Sequence, residues 1–187
     1  MRRLFTLAAA GLAACAPNAF SQASSSEFTS RYTTLGECPL FAEGEPGYDW
    51  IVFRCEGYGG MPIWWRYSDS ARLYIGFGER QHDSGFFGFD RDPDWPIEWR
   101  GRISGDQFIP HAVIIRMPRP IYGSYGEPES SLMVFRLRDD GTSCLLEGDI
   151  LANERAREVA DASAGEFDCP NEPYLYDDGL IETASTP

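Results

Sequence analysis

Apolar and polar positions alternate with a period of two through the middle of the chain. In "YDWIVFRC", Tyr48–Cys55, one side carries Ile51, Phe53 and Cys55 and the other Trp50, Val52 and Arg54. "PIWWRYS", from Pro62, sets Ile63, Trp65 and Tyr67 against Trp64 and Arg66. "ARLYIGFG", from Ala71, sets Leu73, Ile75 and Phe77 against Arg72 and Tyr74. Successive side chains on a strand point to opposite faces, so this alternation in β-branched and aromatic residues predicts strands. Weaker strands are expected at Phe86–Phe89 and Pro96–Arg102, and stronger ones at His111–Met117, Ser131–Arg138 and Ser143–Gly148. Between the last two, "RDDGTS" places Asp140-Gly141 where a tight hairpin turn needs positive φ. The prediction is a mainly β domain, an antiparallel sandwich or partly closed barrel of about seven or eight short strands with one C-terminal α-helix.

That helix is read in "DILANERAREVADASAG". Asp149 or Asn153 would cap its start and Gly165 would end it. Ala152, Ala156, Val159 and Ala160 form a narrow apolar stripe at helical spacing, suited to packing on one side of the sheet. Arg157 and Asp161 stand four apart and are expected to pair on the helix surface.

Composition adds a compartment. The chain opens with Arg2 and Arg3 and an apolar run from Leu4 to Ala14. That run is too short to span a bilayer but suits a secretory signal. Two processing readings stand side by side. "SQA" at Ser21–Ala23 offers a cleavage site, giving a signal over 1–23. "LAAC" at Leu12–Cys15 resembles a lipobox, giving a signal over 1–14 with Cys15 lipidated. Either reading places the mature chain in the periplasm, at the outer membrane or outside the cell. The membrane is then met only through a lipid anchor. A single domain is expected over 24–169, followed by an acidic, partly disordered tail over 170–187.

Net charge is −13, with 29 acidic residues against 16 basic, and every basic residue is Arg. Such a chain repels phosphate backbones, so nucleic acid is excluded as a partner and cationic ones are favoured. Without Cys15, four cysteines remain. In an exported chain an even number reads as disulfides. Three pairings exist, and Cys38–Cys55 with Cys144–Cys169 is favoured because each pair brackets one local unit.

"CEGYGGMPIWW", Cys55–Trp65, carries the candidate chemistry. Gly57, Gly59 and Gly60 follow a strand as a phosphate loop would, but the residues after Pro62 read as strand. A phosphate loop must open a helix, so nucleotide binding is set aside and the glycines read as a chain reversal. Tyr58, Trp64 and Arg66 form a candidate ligand platform, with Trp64 facing away from the core that holds Trp65; the alternative is that the helix or a loop covers that face too and both Trp are core. Asp90, Asp92 and Asp94 alternate as in a calcium loop, but Trp95 stands where that loop needs Gly. His82, in a polar loop, and His111, at a strand start, are the two histidines, and neither lies in a metalloprotease motif. No catalytic residue, metal or cofactor is assigned.

"YTTLGECPL", "RCEGYGG", "IEWRG" and "GTSCLLEGDILANERAREVAD" occur in that order between Tyr32 and Asp161. In these segments the chain resembles a group of uncharacterised exported proteins of alphaproteobacteria. The resemblance implies export and a single domain, and carries no activity across. The functional expectation is a non-catalytic binding module of the cell envelope, for a cell-wall sugar or a cationic protein. Two alternatives stand beside it. One is a hydrolase acting on envelope glycans through paired carboxylates. The other is a lysozyme-inhibitor-like protein, by analogy with small exported β-barrels that carry disulfides; "SARLY" (Ser70–Tyr74) resembles the Ser-Gly-x-x-Tyr loop of some inhibitors but lacks its Gly.

Overall fold

The computed structural model describes residues 28–47, 49–68, 72–87, 94–118, 130–165, 169 and 174–175. Among the described residues two five-stranded antiparallel sheets pack face to face as a sandwich, and no barrel closes. The first contains β1 (Thr29–Thr34), β8 (Pro96–Ser104), β9 (Gln107–Pro118), β10 (Ser130–Leu137) and β11 (Ser143–Ile150), in that spatial order. The second contains β2 (Leu40–Glu43), β3 (Trp50–Glu56), β4 (Pro62–Ser68), β5 (Arg72–Phe77) and β7 (Gly85–Phe87). A separate two-stranded ladder joins β6 (His82–Asp83) to β12 (Tyr174–Leu175). Helix α1 (Asn153–Ala162) lies against the outer face of the first sheet.

The period-two pattern sorts the residues as expected. Ile63, Trp65, Leu73, Ile75 and Phe77 of the second sheet meet Ile97, Trp99, Val113, Ile115 and Phe135 of the first. All ten are at most 1% exposed, so the main core lies between the sheets. Strands β9 and β10 are apolar on their other face too. Ala112, Ile114, Leu132 and Val134 meet Ala156 and Ala160 of the helix there. Ala152 is not part of that stripe; it is exposed and precedes the first helical turn. The cap also differs from expectation. Asp149 and Ile150 remain in β11, with Asp149 at φ 58°, and the helix begins at Asn153 without a side-chain cap.

The glycine-rich stretch is a chain reversal. A 3₁₀ turn spans Tyr58–Gly60, Gly59 and Gly60 take φ of 64° and 83°, and Pro62 is the first residue of β4. Glycine adopts this left-handed region without a Cβ clash. The Asp140-Gly141 hairpin forms as read, with Gly141 at φ 80° and Arg138 N–H bonded to the Thr142 carbonyl.

Two disulfides form, Cys38–Cys55 and Cys144–Cys169. The first pins the crossover from β1 in one sheet to β2 in the other. The second ties the chain beyond α1 back to β11. Two such bonds point to an oxidising compartment. The signal region and Cys15 lie outside the described residues, as does the acidic tail except for Tyr174 and Leu175, which are strand.

Candidate functional site

The expected platform of Tyr58, Trp64 and Arg66 is not assembled. Trp64 does face away from the main core, but it is only 5% exposed. The Phe41 ring stands edge-on to it at 5.1 Å, Arg54 lies over it at 5.6 Å, and its indole N–H donates to the Gly78 carbonyl at 2.8 Å. The side chains of Phe41 on the edge strand β2 and Arg54 on β3 therefore enclose the ring, with Ala42, Val52 and Trp50 closing a small outer core around it. Tyr58 packs on the main core and stands edge-on to Phe108. Arg66 binds Asp83 through Nη2 at 2.5 Å and lies over the Tyr74 ring at 4.1 Å. The Tyr74 of the "SARLY" segment is thus occupied internally, and Ser70 and Ala71 lie outside the described residues.

The histidines are structural. His82 is 1% exposed rather than looped into solvent. Its Nδ1–H donates to the Arg80 carbonyl at 2.6 Å, and its Nε2 accepts from the Ser143 backbone N–H at 2.8 Å. Ser143 Oγ lies 3.0 Å from Nε2, a distance that would suit a nucleophile and its base. However, Ser143 is fully buried, and its hydroxyl accepts from Phe77 N–H and pairs with Ser84 Oγ. This knot joins β5 to β11 across the sandwich, and burial depresses the His82 pKa, keeping it neutral. His111 donates from Nε2 to the Ala160 carbonyl and so anchors the helix to β9. Among the described residues no three His, Cys, Asp or Glu converge as a metal requires. Of the calcium-like run only Asp94 is described, and it is exposed.

A different cluster emerges where α1 crosses β8. Arg100 holds Asp161 with both arms, Nε to Oδ1 at 2.6 Å and Nη2 to Oδ2 at 2.8 Å. Arg157 holds Glu98 likewise, Nε to Oε1 at 2.7 Å and Nη2 to Oε2 at 3.1 Å. Ser30 Oγ links the pairs, donating to Glu98 at 2.5 Å and accepting from Arg100 at 3.1 Å. Arg157 also reaches the Tyr32 hydroxyl at 3.0 Å. The expected Arg157–Asp161 pair along the helix is therefore replaced by two pairs across to β8. The reason is geometric. Two residues along a strand advance about 6.6 Å, and four along a helix advance about 6 Å. Glu98 and Arg100 thus match Arg157 and Asp161 in spacing and complement them in sign.

Beside this lattice lies a groove of about 260 Å³. Its floor is Ile114, Leu132 and Pro96, and its walls are Tyr32, Glu98, Arg157, Asn153 and Arg116. Glu98 faces it but is fully engaged. Burial alone would raise its pKa, but the bonds from Arg157 and Ser30 outweigh this and hold it below its usual value. None of these residues was singled out as a site by the sequence. The legible signal was two charges on the strand, Glu98 and Arg100, opposite two on the helix at matching spacing.

Comparisons with protein-family models, with curated proteins and with solved structures found no match to this chain.

Proposed function

We propose that the protein is an exported, non-catalytic binding module of the cell envelope, taking a sugar in the groove beside α1. The observation that carries this reading is the groove's make-up: an apolar floor of Ile114, Leu132 and Pro96 under the polar tips of Tyr32, Asn153, Arg116 and Arg157. Small-ligand sites combine an apolar bed with a few placed polar groups. Hydrolysis by paired carboxylates draws no support from this groove. A glycosidase acid needs a raised pKa and a second carboxylate about 5 to 10 Å away. Among the described residues Glu98 is the one carboxylate lining the groove, and its pKa is held below its usual value.

The test is sedimentation of the purified chain with insoluble cell-wall glycan, with reducing ends assayed in the supernatant. The chain should pellet without releasing reducing ends. Tyr32→Ala, at a position 58% exposed, should weaken retention about tenfold without changing Tm. Release of reducing ends that disappears in Glu98→Gln would instead establish the hydrolase. Failure to pellet would end the binding reading.

Net charge supports a second reading, a cationic protein partner such as lysozyme. Its mark would be association that fades as salt rises from about 0.05 to about 0.3 M. Export to the periplasm, with release at Ala23 or lipidation at Cys15, is part of the proposal. Palmitate labelling that is lost in Cys15→Ala would select the lipoprotein.

A further inference from the structure

We propose that the groove takes a small monocarboxylate, about one sugar ring in size, and that Arg116 is the residue that pairs with its carboxyl group. This rests on the reading of the groove as the ligand site and names the ligand's chemistry. Three neighbouring guanidiniums each face a carboxylate: Arg100 on Asp161, Arg157 on Glu98, and Arg155 on Glu147. Arg116 does not. Its contacts are two long bonds to neutral oxygens, Nη1 to Ser130 Oγ at 3.3 Å and Nη2 to Asn153 Oδ1 at 3.2 Å. Arg116 thus lines the groove with its guanidinium held only by neutral oxygens among the described residues.

Charge and shape narrow the class. Among the described lining residues Glu98 neutralises Arg157, which leaves the charge of Arg116. One negative charge on the ligand balances it, while a dianion would work against a net charge of −13. The guanidinium fork fits a planar carboxylate through two parallel bonds. Arg116 stands opposite Leu132 in the β9–β10 register, and Ile114 stands opposite Glu98 in the β8–β9 register. Arg116 therefore stands beside Leu132 of β10 and two positions along β9 from Ile114, which itself neighbours Glu98. A volume of about 260 Å³ suits one ring or one amino-acid residue. A sugar acid and the C-terminal residue of a short peptide both meet this description.

The experiment titrates the full, disulfide-bonded chain by calorimetry and by amide NMR. The probes are D-glucuronate against D-glucose, and N-acetyl-alanyl-alanine against its C-terminal amide. At least one carboxylate should bind and shift the amide signals of Ile114 and Leu132. Its neutral counterpart should bind at least about tenfold more weakly. The pair that responds identifies the source. Arg116→Gln should reduce the carboxylate to the level of its neutral counterpart with Tm unchanged, and Arg116→Lys should fall between. If D-glucose matches D-glucuronate and Arg116→Gln changes nothing, the carboxylate assignment is overturned and the groove remains a ligand site. If none of the four probes moves those signals, both readings fall together.

Discussion

Trp64 and Trp65 are adjacent and both are buried, for different reasons. Trp65 sits in the core between the sheets. Trp64 points the other way and is enclosed by Phe41, Arg54 and the Gly78 carbonyl. Its role is therefore packing. Trp64→Ala should lower unfolding free energy by about 3 to 5 kcal/mol in urea titration. A loss below about 1 kcal/mol would mean the ring is not packed. His82 makes a pH prediction. Its pKa is depressed below 6.5, burial being the largest cause, with Arg80, Asp83 and Asp140 opposing it. Between the folded and unfolded values the unfolded chain binds the extra proton, so stability falls as pH drops below 6.5. Glu98, also depressed, adds a further loss as pH falls from 4.5 through its folded value. Tm should be flat above neutrality and decline steadily in acid. NMR should find His82 still neutral when a free imidazole is half charged, and titration at or above 6.5 would refute the assignment.

The element that decides the site is α1. Its apolar stripe is narrow, Ala156 and Ala160 with Val159 at the margin, so little area holds it to the sheet. The two arginine forks to β8 and the His111 bond to Ala160 supply the register. Arg100 is 10% exposed and Asp161 23%, so removing one partner leaves a charge largely out of water. Arg100→Ala should cost about 3 kcal/mol, and replacement of both as Arg100→Met with Asp161→Leu should recover most of it. Hydrogen exchange along α1 should accelerate in the single variant. If the helix exchanges as in the parent, the forks do not hold it.

Across the whole molecule, the two disulfides bracket the sandwich at opposite ends of the chain. They join residues 17 and 25 apart in sequence, and each should stabilise by about 3 kcal/mol through the unfolded chain. Paired Ala replacement of Cys144 and Cys169 should lower Tm and free the segment after α1 while the sandwich survives. Loss of all cooperative unfolding would show that this bond is needed for folding itself. Reduction with thiol should act in the same direction, in keeping with a protein made for an oxidising compartment.

Periodicity made the sandwich legible in the sequence. Alternation in β3, β4 and β5 assigned Ile63, Trp65, Leu73, Ile75 and Phe77 to one face before any partner was known. Asp140-Gly141 marked its hairpin, and the bracketing of local units selected the disulfide pairs. The strands that escaped notice are the ones with no such alternation: "TSRYTT" of β1, four-residue β2, and the two-residue β6 and β12. The site escaped for a related reason. Which face a side chain takes is a local property of strand or helix, and the sequence by itself determined that. What covers the face is a property of distant segments meeting. Only the tertiary structure decided that Phe41 and Arg54 enclose Trp64, that Arg157 and Asp161 turn from each other toward Glu98 and Arg100, and that Arg116 faces a groove.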